Sequence, residues 1–416
     1  MSEPNQPPNS AQSAHSSRPS SSSALALLLA ALAMLGPFSV DTYLPAFPSI
    51  EASLSASAMQ VQQTLTAYMA SFAVMILWHG ALSDAFGRRS IILGSLAVYA
   101  VASLGCAAAH SIEYLWAFRI LQGLSAGAGV VIGRAITRDL YAGAEAEKML
   151  SLVTMIFSIS PAIAPIIGGW IVTYATWRTI FQLLFVFALF LLWMCWRRLP
   201  ESLPPQKRQT FHPSSLWRNY RQIFVSRQFQ LKAAAIAFNF SGLFLYVASA
   251  PYIVTRHLGL GANQFAWLFV PAVSGIFLGA LAANRMAGKV PTQRQIAIGY
   301  VLLVSSGVIS TAYHLFFAPA LPWTVAPLFL YTMGMSIVAP GLTLLVLDLF
   351  PHIRGTVASC QSFTMTMLSA VVAGVVSPVL NHSMLLLAAG QFGFALTGWV
   401  LWRASSGIGK SAAAKA

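Results

Sequence analysis

From Ala24 to about residue 403 the chain is a succession of apolar runs separated by short polar breaks. A helix needs roughly 20 apolar residues to cross the hydrocarbon core of a bilayer. Runs of that length fall near 24–47, 60–82, 90–109, 113–135, 149–173 and 178–196, and again near 230–254, 264–284, 293–315, 323–347, 355–380 and 383–403. Only helices and closed barrels satisfy every backbone polar group in lipid. The pattern therefore predicts an all-α polytopic membrane protein of twelve transmembrane helices, arranged as two six-helix bundles.

The polar intervals set the domain plan. Residues 1–23 are rich in Ser, Pro, Asn and Gln and are expected to be a disordered tail. Arg18 is the only basic residue ahead of the first apolar run, and many runs of similar length follow, so that run is read as a span and not as a cleaved signal. The first bundle is expected over 24–196 and the second over 230–405, with a tail at 406–416. Between the bundles, 197–229 carries Arg197, Arg198, Lys207, Arg208, Arg218, Arg221 and Arg227 against the single acid Glu201. Within it Leu216, Tyr220, Ile223 and Phe224 recur at helical spacing beside arginines, as expected of a short helix lying on an anionic leaflet.

Composition strengthens the membrane reading. Hydrophobic residues make up 57% and charged residues 8%, where soluble domains carry about 25% charge. A net charge of +14 would suit a nucleic-acid partner if the basic residues formed one face, but here they punctuate apolar runs. No nucleic-acid partner is expected; the lipid bilayer is. Cys106, Cys195 and Cys360 all fall in apolar segments, with no spacing for a disulfide framework or a metal site.

Charge also predicts orientation, because short cytoplasmic loops retain Lys and Arg. With the N-terminus inside, all of the 24 basic residues except Arg119, Arg178 and Arg256 fall in inner loops, their flanking span ends or the tails. Both termini are expected to be cytoplasmic. The halves echo one another: Gly80-Ala81-Leu82 and Gly87-Arg88 reappear as Gly279-Ala280-Leu281 and Gly288-Lys289, and Asp139-Leu140-Tyr141 as Asp348-Leu349-Phe350. Parallel six-helix repeats place a binding site between the halves.

Two ionisable residues lie deep in spans. Asp41 is the one acid in that position, and an ionised carboxylate there costs about 2.5–3.5 kcal/mol on insertion scales. Pro37 and Pro45 bracket it, and Pro45 has no N–H for the Asp41 carbonyl, so a kink with a freed backbone group is expected. Burial opposes ionisation of a carboxyl and a nearby cation favours it, the two controls needed to load and release a proton. The alternatives are a permanent ion pair, or a carboxylate near enough to the outer interface to stay wet. Arg119 falls at a similar depth, which makes it a candidate partner for Asp41, or else a donor to backbone carbonyls or Gln122. On the loop after the second span, Asp84 can accept from a helix N-terminus across the interface between halves, latching the inner face; a purely topological role for Arg88 and Arg89 is the alternative.

The loop Gly80-x-Leu82-x-Asp84-x-x-Gly87-Arg88-Arg89 resembles the signature of the major facilitator superfamily. Arg119-x-x-Gln122-Gly123 is similar to its fourth-span motif, associated with proton coupling. Pro161-Ala-Ile-Ala164-Pro165-Ile-Ile-Gly168-Gly169 resembles its antiporter motif, with Ala164 in place of a glycine. Asp41-Thr-Tyr43-Leu-Pro45-Ala-Phe-Pro48 resembles the bicyclomycin and chloramphenicol resistance subgroup (Bcr/CflA) of drug:proton antiporters. The resemblance implies export of drugs across a bacterial inner membrane driven by inward proton flow, with Asp41 as proton carrier and competitor for cationic or polar drug binding. It implies no cofactor beyond the proton gradient, no metal and no enzymatic activity; a monomer is expected.

Tyr43, Tyr68, Asn239, Tyr246, Tyr331 and Gln361 are in-span polar or aromatic residues that can line a drug cavity. Proton-coupled transport of a sugar or amino acid derivative is the competing reading. A membrane enzyme or receptor is disfavoured, since His79 and His314 have no nucleophile or metal cluster beside them in sequence. The chain also has no phosphate-binding loop of an ATPase.

Overall fold

The computed structural model describes residues 22–157 and 159–413, and contains twelve helical segments long and apolar enough to cross a membrane. In the first half they are Ala24–Leu54, Ala58–Phe86, Arg88–Ala107, Ile112–Leu140, Gly143–Tyr174 and Trp177–Arg198. In the second they are Arg227–Ala248, Ala262–Met286, Thr292–Phe316, Ala326–Leu347, Pro351–Leu380 and Met384–Ser406. Large apolar side chains such as Trp170, Tyr174, Phe190, Trp193 and Phe316 point outward and are exposed, an exterior that only lipid solvates well.

Local chemistry sets the ends of these helices. Ser57 and Gln60 form a reciprocal capping box at the start of the second span, with N···O distances of 3.2 and 2.8 Å. Ser111 and Ser226 cap the fourth and seventh, each cap contributing about 1 kcal/mol. Gly87 and Gly288, at equivalent places after the second and eighth spans, have φ of 96° and 71°. A side chain would be strained in that backbone, so both halves place a glycine where the chain reverses after these spans.

The observed helices outrun the apolar runs where their ends are polar. The fourth span continues to Leu140 through Arg134, Arg138 and Asp139, and the fifth begins at Gly143, ahead of Glu145, Glu147 and Lys148. A helix need not stop where the lipid does. For the same reason the last helix runs on to Ala413, so the tail expected from 406 starts as helix. Residues 1–21 of the expected N-terminal tail lie outside the described residues.

Packing repeats between halves. The second span packs on the fourth, and the third on the fourth and sixth; likewise the eighth packs on the tenth, and the ninth on the tenth and twelfth. The halves meet where the second span packs on the eleventh and the fifth on the eighth, contacts related by the same pseudo-two-fold. The linker helix, Pro213–Val225, turns the predicted stripe inward: Tyr220 and Ile223 are buried, with Leu216 and Phe224 partly so. Tyr220 Oη donates to the Leu77 carbonyl at 2.6 Å, and the Phe224 ring packs on Phe229 and Phe363. Burial pushes the Tyr220 phenol up to about 12, so it remains a neutral donor. The stripe expected on a lipid leaflet is therefore in contact with protein, because the groove between spans offers it a dry surface and a carbonyl to bond.

Candidate transport site and gates

The first span breaks where Pro45 predicts. Its α-helix ends at Asp41, a 3-10 turn covers Leu44–Ala46, and helix resumes over Phe47–Leu54. Asp41 is 6% exposed, and among the described residues no hydrogen bond or ion pair reaches its carboxylate. The direct Asp41–Arg119 pairing considered from depth is absent from this conformation.

Arg119 sits instead in an aromatic cage. Its guanidinium carbon lies 4.2 Å from the Tyr68 ring centroid, 4.6 Å from that of Tyr43 and 5.9 Å from that of Phe181. Each close ring contributes on the order of 2 kcal/mol in such a desolvated place. One nitrogen donates to Gln122 Oε1 at 2.7 Å, and Gln122 Nε2 donates to Ser103 Oγ at 2.9 Å; the Gln122 alternative is thus the one realised. The tyrosines are themselves fixed, Tyr43 by Thr64 at 2.7 Å and Tyr68 by the Gly36 carbonyl at 2.9 Å. Ser39 pairs with Tyr99 beside them. Yet Arg119 Nε and its second terminal nitrogen are buried with no partner. The first half thus buries a guanidinium with unused donors on its fourth span and a carboxylate without a hydrogen-bond partner on its first.

Gly168 and Gly169 join this break to the second half. A Cβ on Gly168 would collide with the Thr42 carbonyl, and one on Gly169 with the Ala262 carbonyl. The fifth span thereby touches the backbone of the first and eighth spans at once, with Pro165 buried a turn earlier. Gly123 similarly lets the fourth span lie against Tyr68 and Ser71 of the second.

At the end of the bundle that carries the linker, the halves diverge around a cavity of about 580 Å³. Gly80, Asp84, Arg88, Arg134, Arg138 and Asp139 line it from the first half, Phe211, His212 and Tyr220 from the linker, and residues 352–356 with Ser359 and Ser362 from the second half. Asp84 does not reach across it to the second half. It pairs with Arg88 at 2.5 Å, and Arg88 also binds Asp139 at 3.1 Å. The carboxylate that occupies a helix N-terminus is Glu201, accepting from Arg88 N at 2.9 Å and Arg89 N at 3.3 Å, with Arg208 at 3.7 Å. Arg89 donates to the Trp196 carbonyl at 2.7 Å. The predicted latch is disengaged because the cavity separates its two sides.

The opposite end is shut. Gln62 Nε2 donates to the Ala248 and Ala373 carbonyls at 3.3 and 3.0 Å, and Gln63 Nε2 to the Gly374 carbonyl at 2.9 Å. These acceptors lie where the seventh span ends before Pro251, and in the π-turn Val372–Val376 of the eleventh. Such irregularities leave carbonyls without helical partners. Neither glutamine is singled out by the sequence; their only signal is a polar pair in the first turns of an apolar span.

A family profile described as Major Facilitator Superfamily matches residues 29–374. This chain belongs to the major facilitator superfamily. It is 33% identical over 363 residues to an uncharacterized MFS-type transporter, YdgK, of Bacillus subtilis, covering 86% of this chain and 88% of that protein. It is 30% identical over 282 residues to a bicyclomycin resistance protein homolog of Haemophilus influenzae, covering 68% and 71%. Among solved structures, the inward open conformation of the xylose transporter XylE from E. coli superimposes with a TM-score of 0.69 at 15% identity, covering 90% of this chain and 95% of that one. As a superfamily member the chain is a multi-pass secondary transporter of small molecules, not an enzyme.

Within the superfamily fold, the six expected cavity residues separate into two groups. Tyr43 and Tyr68 cage Arg119. In the second half, Asn239 bonds Tyr300 at 3.0 Å, Tyr331 bonds the Asn239 carbonyl at 2.9 Å, and Tyr246 approaches Ser310 at 3.4 Å. Gln361 bonds Thr343 at 3.0 Å. None of the six lines the 580 Å³ cavity; in this conformation they are packed within their own halves.

Proposed function

We propose that this chain is a drug:proton antiporter of the Bcr/CflA subgroup, exporting drugs such as bicyclomycin- or chloramphenicol-like compounds across a bacterial inner membrane by alternating access. In this reading both termini are cytoplasmic, the protein works as a monomer, and the linker-side cavity is the inward mouth. The supporting observation is the solitary, buried Asp41 carboxyl in the same half as a caged guanidinium with unused donors. Protonation of Asp41 removes the buried charge. Ionisation makes it an acceptor that the free Arg119 donors can approach, so the two states favour different packings of the first and fourth spans.

At a potential of about 100 mV, one entering charge supplies roughly 2.3 kcal/mol, a gradient of about fiftyfold for a neutral solute. That is sufficient for resistance. The test expresses the chain in a pump-deficient bacterium challenged with a drug panel, beside Asp41→Asn at equal expression. The parent is expected to protect, the variant not to, and a protonophore to abolish efflux. Protection by the variant equal to the parent's would remove Asp41 from coupling, and efflux sustained by ATP without a proton gradient would reject secondary transport.

A further inference from the structure

The third span carries two hydroxyls that no sequence motif singles out. Ser103 Oγ accepts from Gln122 Nε2 at 2.9 Å, and Gln122 Oε1 accepts from Arg119 at 2.7 Å. One turn earlier on the same span, Tyr99 Oη pairs with Ser39 Oγ of the first. The Ser39 hydrogen goes to the Leu35 carbonyl at 2.5 Å, which leaves Tyr99 as the donor of that pair. Ser103 Oγ donates in turn to the Tyr99 carbonyl at 2.8 Å. Ser39, Tyr99, Ser103, Arg119 and Gln122 are all fully buried, where no water can replace a lost partner and a polar network is correspondingly rigid.

Asp41 stands between the two points at which the first span bears on this set. Ser39 is two residues before it; Tyr43 is two after, with its ring centroid 4.6 Å from the Arg119 guanidinium carbon. The titratable groups around that stretch are Arg119 from the fourth span, Tyr68 from the second, Tyr99 and Cys106 from the third, and Tyr43 itself. The fifth and sixth spans present Gly168, Phe181 and Phe187 there. Of the second-half segments that touch the turn after Asp41, Ala250–Tyr252 and Ala262–Gln264, only Tyr252 is titratable. Arg119 is therefore the one cation in the set.

We infer that Ser103 and Tyr99 are positioning residues for proton coupling: Ser103 holds the Gln122 amide, and with it Arg119, in the aromatic cage, while Tyr99 fixes the first span at Ser39. Together they set how much must be undone before Arg119 can move toward an ionised Asp41. This rests on the antiport reading and adds the third span to its machinery. Without Ser103 the Gln122 amide is free to follow Arg119, the ionised carboxyl gains its cation more readily, and more acid is needed to protonate it.

The experiment reconstitutes the full chain in phospholipid vesicles. Chloramphenicol flux driven by an imposed proton gradient is followed while the pH of the proton-entry compartment is varied, and the Asp41 carboxyl band is titrated by infrared spectroscopy in the same vesicles. In S103A both midpoints should move toward acid by about 0.7 unit, the equivalent of one net hydrogen bond. Y99F, which deletes a single oxygen, should move them the same way, and S103A/Y99F further. In S103A/R119M the carboxyl titration should match that of R119M alone. A carboxyl titration unmoved in S103A and Y99F, or moved as much when Arg119 is absent, overturns the inference, as does flux lowered at every pH with its midpoint in place. Chloramphenicol flux indifferent to the proton gradient, with the carboxyl shift intact, removes the antiport reading and leaves the link between Ser103 and Asp41 standing.

Discussion

Arg119 combines a structural role with an unfinished one. Its contacts with the Tyr43 and Tyr68 rings and with Gln122 hold it in place, while two buried nitrogens have no acceptor. Replacing a buried, incompletely paired charge with an apolar side chain of similar size is often neutral for stability. Arg119→Met is therefore expected to keep its thermal stability within about 1 kcal/mol of the parent while losing proton-driven transport. A large loss of stability with transport retained would make Arg119 a scaffold residue only. At this scale the sequence was legible where chemistry is rare. One acid and one base deep in apolar runs named Asp41 and Arg119, because lipid makes such residues conspicuous. It was silent on Tyr43 and Tyr68 as cage walls, since an aromatic residue in a span looks the same whether it packs on a cation or on leucines. Nor did matched depth fix lateral contact, and the suggested Asp41–Arg119 pair is not formed here.

Among the elements, the second span has one end sealed and the other open. Gln62 and Gln63 make three hydrogen bonds across the halves, and at about 1 kcal/mol net each their loss would shift a two-state balance by roughly a hundredfold. In Gln62→Ala/Gln63→Ala, spin labels at Met59 and His382, both exposed near that end, should show the long-distance population growing at the expense of the short one. An unchanged distance distribution would mean that the seal rests on the glycine contacts of the fifth span alone. Helix positions were readable from the apolar runs, and the break near Asp41 from Pro45. Their polar extensions were not, because hydropathy reports where lipid ends and not where hydrogen bonding ends. The acceptors for the glutamines were less legible: Pro251 marks the break near Ala248, but the Ala373 and Gly374 carbonyls lie in a π-turn that no residue type announces.

Over the whole molecule, two pseudo-symmetric bundles meet at one end and part at the other, with the cavity, the disengaged Asp84 and the linker all on the open side. The degenerate repeat in the sequence marked this symmetry at Gly87 and Gly288, which both have positive φ. The sequence could not show which end is closed, since both states use the same residues, nor that Glu201 and not Asp84 caps a helix N-terminus in this one. What must connect the ends is a change of charge at Asp41. Infrared difference spectroscopy of the reconstituted protein, with a transported drug added and removed, reads that change directly. The account predicts a protonated-carboxyl band that shifts or disappears on drug binding and is missing from Asp41→Asn; a spectrum identical in parent and variant would contradict it.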